Sequence, residues 1–219
     1  MALAPPDDVL TNTPIYRMVH VDCLSTLLAR DALHAPSCAP EDGLSYVGIH
    51  AEQTQSDRGD KLVPCGPKGA TRDYVGFYFG PRSPMLLRIH TGRNVARVEQ
   101  SKIVYLVSTA QEVAAAGLDF VFTDRHSLTA IVAYCDQLAD LGIVDFPIAY
   151  AEWWNTTPEH PDRQEKKQAE FLVHRSMPWS LVDRIGVLNA AVATRVEEIL
   201  HAHPDLHHPR VERQSSWYY

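Results

Sequence analysis

The stretch DYVGFYFGPRSPMLLRIHTGRNVARVEQSKIVYLV, running from Asp73 to Val107, decides how the fold is read. Within it Tyr74–Phe79, Met85–His90 and Ile103–Val107 are short runs of aromatic, β-branched or bulky apolar residues, and each reads as a strand. Working outward, Pro14–His20 reads as another short strand. Asp22 is a candidate N-cap for a helix through about Leu33, with Leu24, Leu27, Leu28 and Ala32 on one face. Downstream, Ser108-Thr109-Ala110-Gln111-Glu112 holds two overlapping capping-box patterns and opens a helix that stops at Gly117. Asp119–Phe122 is expected as a strand and Ser127 to about Leu141 as a helix. Ala169–Arg175 and Arg184–Val187 are further strands, and Asn189 to about His201 is an amphipathic helix. Strands mixed with helices, without strict alternation, point to the α+β class. We expect one domain over residues 1–219, a small mixed or antiparallel central sheet with flanking helices. Its core spans about 14–202 and a short aromatic tail follows.

Two irregular stretches interrupt this pattern. Residues 34–69 are rich in Pro, Gly, Asp and Gln, and 146 to about 164 carry Trp153, Trp154, Pro158 and Pro161. Connections this long without periodicity are usually functional.

With 45% hydrophobic and 21% charged residues, the chain has ordinary globular composition, not that of a disordered one. Met1–Asp8 carries no basic and apolar leader, and no run approaches the ~20 apolar residues of a membrane span, so a cytoplasmic protein without a membrane partner is expected. Cys23, Cys38, Cys65 and Cys135 are irregularly spaced, with no C-x-x-C, and read as reduced structural thiols. His201, His203, His207 and His208 lie around a helix end without the spacing of a known site, so no metal is expected. The net charge of −7 argues against a general nucleic-acid binder. It is unevenly spread, however: from Lys68 to Lys102 seven basic residues face two acidic ones, giving +5 there and leaving −12 for the remainder. A local basic surface on an acidic body suits a protein that meets one polyanion in one orientation. Solvated strand-end arginines would look the same.

The common cofactor signatures are missing: no Walker loop, no G-x-G-x-x-G after a strand, no H-E-x-x-H and no G-x-S-x-G. Other strings carry a resemblance. They are PIYRMVH (14–20), VPCGP (63–67), DYVGFYFGPRSPML (73–86), IHTG (89–92), FTDRH (122–126), WWNTTPEHPDR (153–163) and QAEFLV (168–173). Together they make the chain, from about Pro14 to Val187, similar to the DarT family, the DNA ADP-ribosyltransferase toxins of DarT–DarG toxin–antitoxin pairs. The resemblance implies an ADP-ribosyltransferase (PARP-like) fold and NAD as co-substrate. It also implies single-stranded DNA as acceptor and a macrodomain antitoxin of DarG type as partner. The Gly-Pro-Arg-Ser-Pro-Met wording resembles the thymidine-modifying branch more than the guanosine-modifying one.

Residue roles follow from the same resemblance. Glu170 matches the catalytic glutamate at the end of the ADP-ribosylating turn-turn loop. A carboxylate there can hold ribose hydroxyls and stabilise the oxocarbenium-like charge that develops as nicotinamide leaves. His20 matches a histidine that holds NAD near its nicotinamide end, with Val21 and Asp22 lining the same pocket through their backbone. Arg58 matches the arginine of the NAD-binding loop (46–60), which contacts NAD and is a candidate acceptor for the proton of the base. Tyr78, Arg82, Met85, His126 and Arg163 are the candidates for the DNA side, because gripping an unstacked base takes aromatic or apolar surfaces together with arginines. Tyr78 and Met85 read equally well as core residues, and Trp153 and Trp154 as either a stacking platform or buried loop anchors. Two other functions use the same features: transfer to a protein or RNA acceptor, and a catalytically silent NAD- or DNA-binding module.

Overall fold

The computed structural model describes residues 3–49, 59 and 61–219. Its strands are β1 (Pro14–His20), β2 (Ala32–His34), β3 (Tyr74–Tyr78), β4 (Ile103–Thr109), β5 (Phe120–Thr123), β6 (Tyr134–Cys135), β7 (Glu170–His174), β8 (Ser176–Pro178), β9 (Arg184–Val187) and β10 (Arg210–Arg213). The α-helices are α1 (Cys23–Arg30), α2 (Pro84–Thr91), α3 (Ala110–Ala115), α4 (Phe146–Tyr150), α5 (Arg163–Lys166) and α6 (Ala190–His201). Eight strands form one mixed sheet in the order β10-β9-β4-β1-β3-β7-β5-β6, antiparallel throughout except for the parallel β9–β10 pair. A separate two-stranded ribbon joins β2 to β8.

The sheet is not evenly zipped. β1 pairs with β4 along its whole length, Pro14 opposite Thr109 to His20 opposite Ile103, and β3 pairs with β7 from Tyr74–His174 to Tyr78–Glu170. Between these two halves, β1 and β3 meet only at Tyr16–Tyr78. Beyond that pair the strands part, and the Arg17 Nη1 donates across the gap to the Gly76 carbonyl at 2.8 Å. A backbone acceptor left without its ladder partner is costly when covered, and a long cationic side chain replaces the missing donor.

Both faces of the sheet's centre are covered. Ile103–Ser108 of β4 are all buried, as expected of a central strand packed on both sides. One aromatic cluster holds the β1–β4 half, with the Tyr16 ring 5.2 Å from Trp217 and Tyr105 5.5 Å from Trp217. Another, of Phe79, Phe122, Phe146 and Phe171, holds the β7 half.

Several expectations need correction. Met85–His90 is helix, not strand: the Ser83 Oγ accepts from Leu86 N, Pro84 sits in the first turn, and Gly92 closes the helix at φ 71° with its N–H on the Arg88 carbonyl. A short bulky apolar run does not reveal its own period, so the Ser-Pro and Gly at its ends were the better guide. Ser127–Leu141 is not an α-helix. Its N–H groups are taken elsewhere, Ser127 by Glu170 and Ala133 by Asp124, and Tyr134 pairs with Thr123 in the sheet. Only Leu138–Ile143 coils, as a 3-10 turn. Helix α1 ends at Arg30, because Asp31 turns left-handed at φ 47° and Leu33 pairs with Met177 in the β2–β8 ribbon. Asp22 offers α1 no side-chain cap. Finally, the tail is part of the core: β10 extends the sheet, and Trp217 and Tyr218 are buried. Gly186 makes room for the indole, since a β-carbon there would lie 2.2 Å from the Trp217 ring.

Candidate active site

Where β1 and β3 part, a cleft of about 490 Å³ opens, large enough for a sizeable small-molecule ligand. Strand β1 contributes Arg17 and His20, β3 contributes Gly76 and Tyr78, and α2 contributes Met85 and Arg88. The segment 46–49 walls one side and His126 and Leu128 another, and Glu170 reaches it from the start of β7.

Glu170 is only 4% exposed. Its position is fixed from both ends: its N–H donates to Thr123 Oγ1 at 3.0 Å, and its Oε2 accepts from the Ser127 N–H at 3.0 Å. Thr123 is held in turn by donating to the Arg125 carbonyl at 2.7 Å. A buried carboxylate is tolerated only with such partners, and their fixed geometry sets the direction in which negative charge is offered to the cleft.

His126 belongs to the loop that also supplies Ser127. That loop is closed at its base, where the His126 N–H donates to the Glu165 carbonyl at 3.0 Å and Arg125 pairs with Asp124, Asp162 and Glu165. The two ends of a forty-residue excursion are thus tied beside Glu170.

His20 ends β1 and is 7% exposed. Its Nδ1 accepts from the Asp22 N–H at 3.2 Å. Burial pushes its pKa below the ordinary imidazole value, opposed by the Asp22 carboxylate. Burial therefore favours the neutral ring, and with Nδ1 accepting from the Asp22 N–H, Nε2 carries the hydrogen and can donate. Asp22 itself is exposed and pairs with Arg195 on α6. Val21 is fully buried, its N–H donating to the Lys102 carbonyl at 2.8 Å. Neither Val21 nor Asp22 lines the cleft; they fix His20 from behind.

Of the expected DNA-side residues, Tyr78, Met85 and His126 line the cleft. Arg82 does not; it follows β3, with its guanidinium 4.6 Å over the Tyr219 ring. Arg163 opens α5 and is not among the residues lining the cleft, with its Nε buried and without a hydrogen-bond partner among the described residues. Arg58 lies outside the described residues. Trp153 and Trp154 divide the two readings between them: Trp153 is exposed, and Trp154 is buried as an anchor. Among the described residues no three or more His, Cys, Asp or Glu side chains gather as metal ligands, and no helix is long and apolar enough to cross a membrane.

Sequence reasoning missed several contributors. Arg17 and Arg88 line the cleft, Arg17 from inside a string that carried the resemblance and Arg88 from the gap between two of them. Ser127 acts through its backbone N–H, which no residue type announces. Lys167, three residues before Glu170, is 1% exposed and donates to the carbonyls of Pro81 at 3.0 Å and Ala149 at 2.7 Å.

The chain resembles known proteins in both sequence and fold. The family described as "ssDNA thymidine ADP-ribosyltransferase, DarT" matches residues 16–219. The chain belongs to the DarT family. Among DarT relatives, a DNA ADP-ribosyl transferase of Thermus aquaticus is 42% identical over 209 residues, 94% of this chain and 89% of the relative. One from Escherichia coli is 35% identical over 85% of each chain. The DarT of Thermus sp. 2.9, solved in complex with ADP-ribosylated single-stranded DNA, superposes with a TM-score of 0.88 at 39% identity, covering 100% of both chains. The same protein in complex with NAD+ gives 0.84 at 38% identity, over 99% of this chain and 100% of that one.

Proposed function

We propose that this DarT-family chain transfers ADP-ribose from NAD to a thymine base in single-stranded DNA, releasing nicotinamide. The observation that carries the reading is Glu170, buried at the cleft and aimed by Thr123 and Ser127. The relatives' activity and the Thermus complexes support the same substrates.

The residues present suit NAD. Cationic Arg17 and Arg88, the donating His20 and the Glu170 carboxylate all line one cleft. Glu170 accepts from ribose hydroxyls and stands against the positive charge that grows on the ribose as the bond to nicotinamide breaks. A preorganised carboxylate in a site screened from water does this at little reorganisation cost. His20 Nε2–H holds the nicotinamide end. The attacking ring nitrogen forms the new glycosidic bond and must lose its proton, for which Arg58 is the residue implied by resemblance.

On the acceptor side Tyr78, Met85 and His126 border the cleft beside Glu170 and take the unstacked base, while Arg82 and Arg163 meet the strand outside it. We place the protein in the cytoplasm as the toxin of a pair, with a macrodomain antitoxin of DarG type as partner.

The test incubates the protein with NAD and single-stranded oligonucleotides of mixed sequence, beside Glu170→Ala, and records intact oligonucleotide masses. We expect a gain of one ADP-ribose, absent in the variant and lost when thymines are replaced. NAD consumption without any DNA product would move the acceptor to protein or RNA. No turnover at all would leave only a binding module.

A further inference from the structure

Arg82 is built into the protein in an unusual way. Its backbone is left-handed at φ 56°, a conformation that a non-glycine residue adopts only when its surroundings impose it. Two tyrosine hydroxyls impose it here. The Arg82 N–H donates to the Tyr105 hydroxyl at 3.1 Å, and the Tyr219 hydroxyl donates to the Arg82 carbonyl at 3.1 Å. The Arg82 guanidinium then lies 4.6 Å over the ring of the same Tyr219.

Tyr219 is itself locked. Its backbone N–H donates to Gln100 Oε1 at 2.7 Å and its carbonyl accepts from Gln100 Nε2 at 2.6 Å. Its hydroxyl also accepts from Trp154 Nε1 at 3.0 Å, so that one side chain joins the turn after β3 to the loop that exposes Trp153. On the other side of that turn the Pro81 carbonyl accepts from Lys167, which leads into Glu170.

We propose that Tyr219 is a positioning residue for DNA. It holds the Arg82 guanidinium stacked and preorganised to receive a phosphodiester of the single strand. A stacked guanidinium keeps its edge N–H groups available for two phosphate oxygens while its rotamers are already restricted, so little freedom is lost on binding. The buried Nε of Arg82 has no hydrogen-bond partner among the described residues. The inference rests on the DNA-modifying function proposed above.

The experiment measures steady-state transfer to a thymine-containing oligonucleotide for wild type, Tyr219→Phe, Tyr219→Leu, Arg82→Ala and the Arg82→Ala/Tyr219→Leu double variant. NAD affinity is measured separately by calorimetry. Tyr219→Leu is expected to raise the oligonucleotide KM about tenfold, the loss of one cation–π contact and its hydrogen bonds. Tyr219→Phe, which keeps the ring under the guanidinium, should raise it only a few-fold. NAD affinity should stay at the wild-type value in both. The double variant should be no worse than Arg82→Ala, since both changes remove one contact. Arg82→Ala and Tyr219→Leu should lower the salt dependence of oligonucleotide binding by the same increment. A wild-type oligonucleotide KM in Tyr219→Leu, additive effects in the double variant, or a matching loss of NAD affinity would overturn the proposal. Should Tyr219→Leu not fold, an unchanged KM in Tyr219→Phe together with an unchanged KM in Arg82→Ala overturns it. Failure of the wild-type protein to label any oligonucleotide would instead remove the proposed function itself.

Discussion

Lys167→Met will remove a pH dependence of stability that one buried ammonium imposes. Lys167 is 1% exposed, and its Nζ is held by the Pro81 and Ala149 carbonyls. Burial, with a smaller push from Arg82, brings its pKa down to about 7. In the unfolded chain a lysine titrates near 10.4. Between those two values the unfolded state binds a proton that the folded state does not, so stability rises with pH across that window. Below about pH 7 both states are protonated and the burial penalty is at its full size. Integrating the two titrations, wild type should gain about 2 kcal/mol between about pH 6.5 and pH 8.5 that the methionine variant does not gain. For a chain of this size that is about 4–8 °C in Tm.

The two carbonyls orphaned in Lys167→Met lower its stability by a constant amount, without pH dependence. Cys23, Cys65 and Cys135, whose thiols burial pushes up, bias both proteins equally and cancel in the difference. Urea unfolding of both proteins at constant ionic strength, at the two pH values, supplies the measurement. Parallel stability–pH curves would refute the reasoning and mean that water or a local rearrangement solvates the ammonium.

Three further outcomes are expected. His20→Phe should raise the KM for NAD about tenfold, the loss of one buried donor, and leave the oligonucleotide KM unchanged. In wild type the acid limb of the pH–rate profile should lie below the ordinary imidazole range, because burial lowers the His20 pKa; a limb above it would exclude His20 as its source. Gly80→Ala should destabilise at or beyond the upper end of the roughly 1–3 kcal/mol of overpacking, since a β-carbon there would lie 2.0 Å from the Ala149 carbonyl oxygen. Gly142→Ala, with nothing within 4 Å, serves as the neutral control in the same thermal scan.

Glu170, His20, Tyr78, Met85 and His126 were legible because each sits in a contiguous string, and the structure brings all five to one cleft. Strands β1, β4 and β9 announced themselves likewise, through local runs of apolar residues. What sequence alone determined about this protein is therefore its family, its α+β class and the carboxylate at its centre. All three are written in neighbouring residues.

The tertiary structure decided the rest. It spent the backbone donors of 127–133 on Glu170 and Asp124, and so dissolved an expected helix. It drew Trp217 and Tyr219 from a supposed tail onto Gly186 and Arg82, and closed Lys167 over Pro81 and Ala149. Apart from the Ala133–Asp124 bond, nine residues apart, each of these depends on a hydrogen-bond or packing partner many residues away. Such a partner leaves no mark in local periodicity, because its energy exists only once the chain has brought the two groups together.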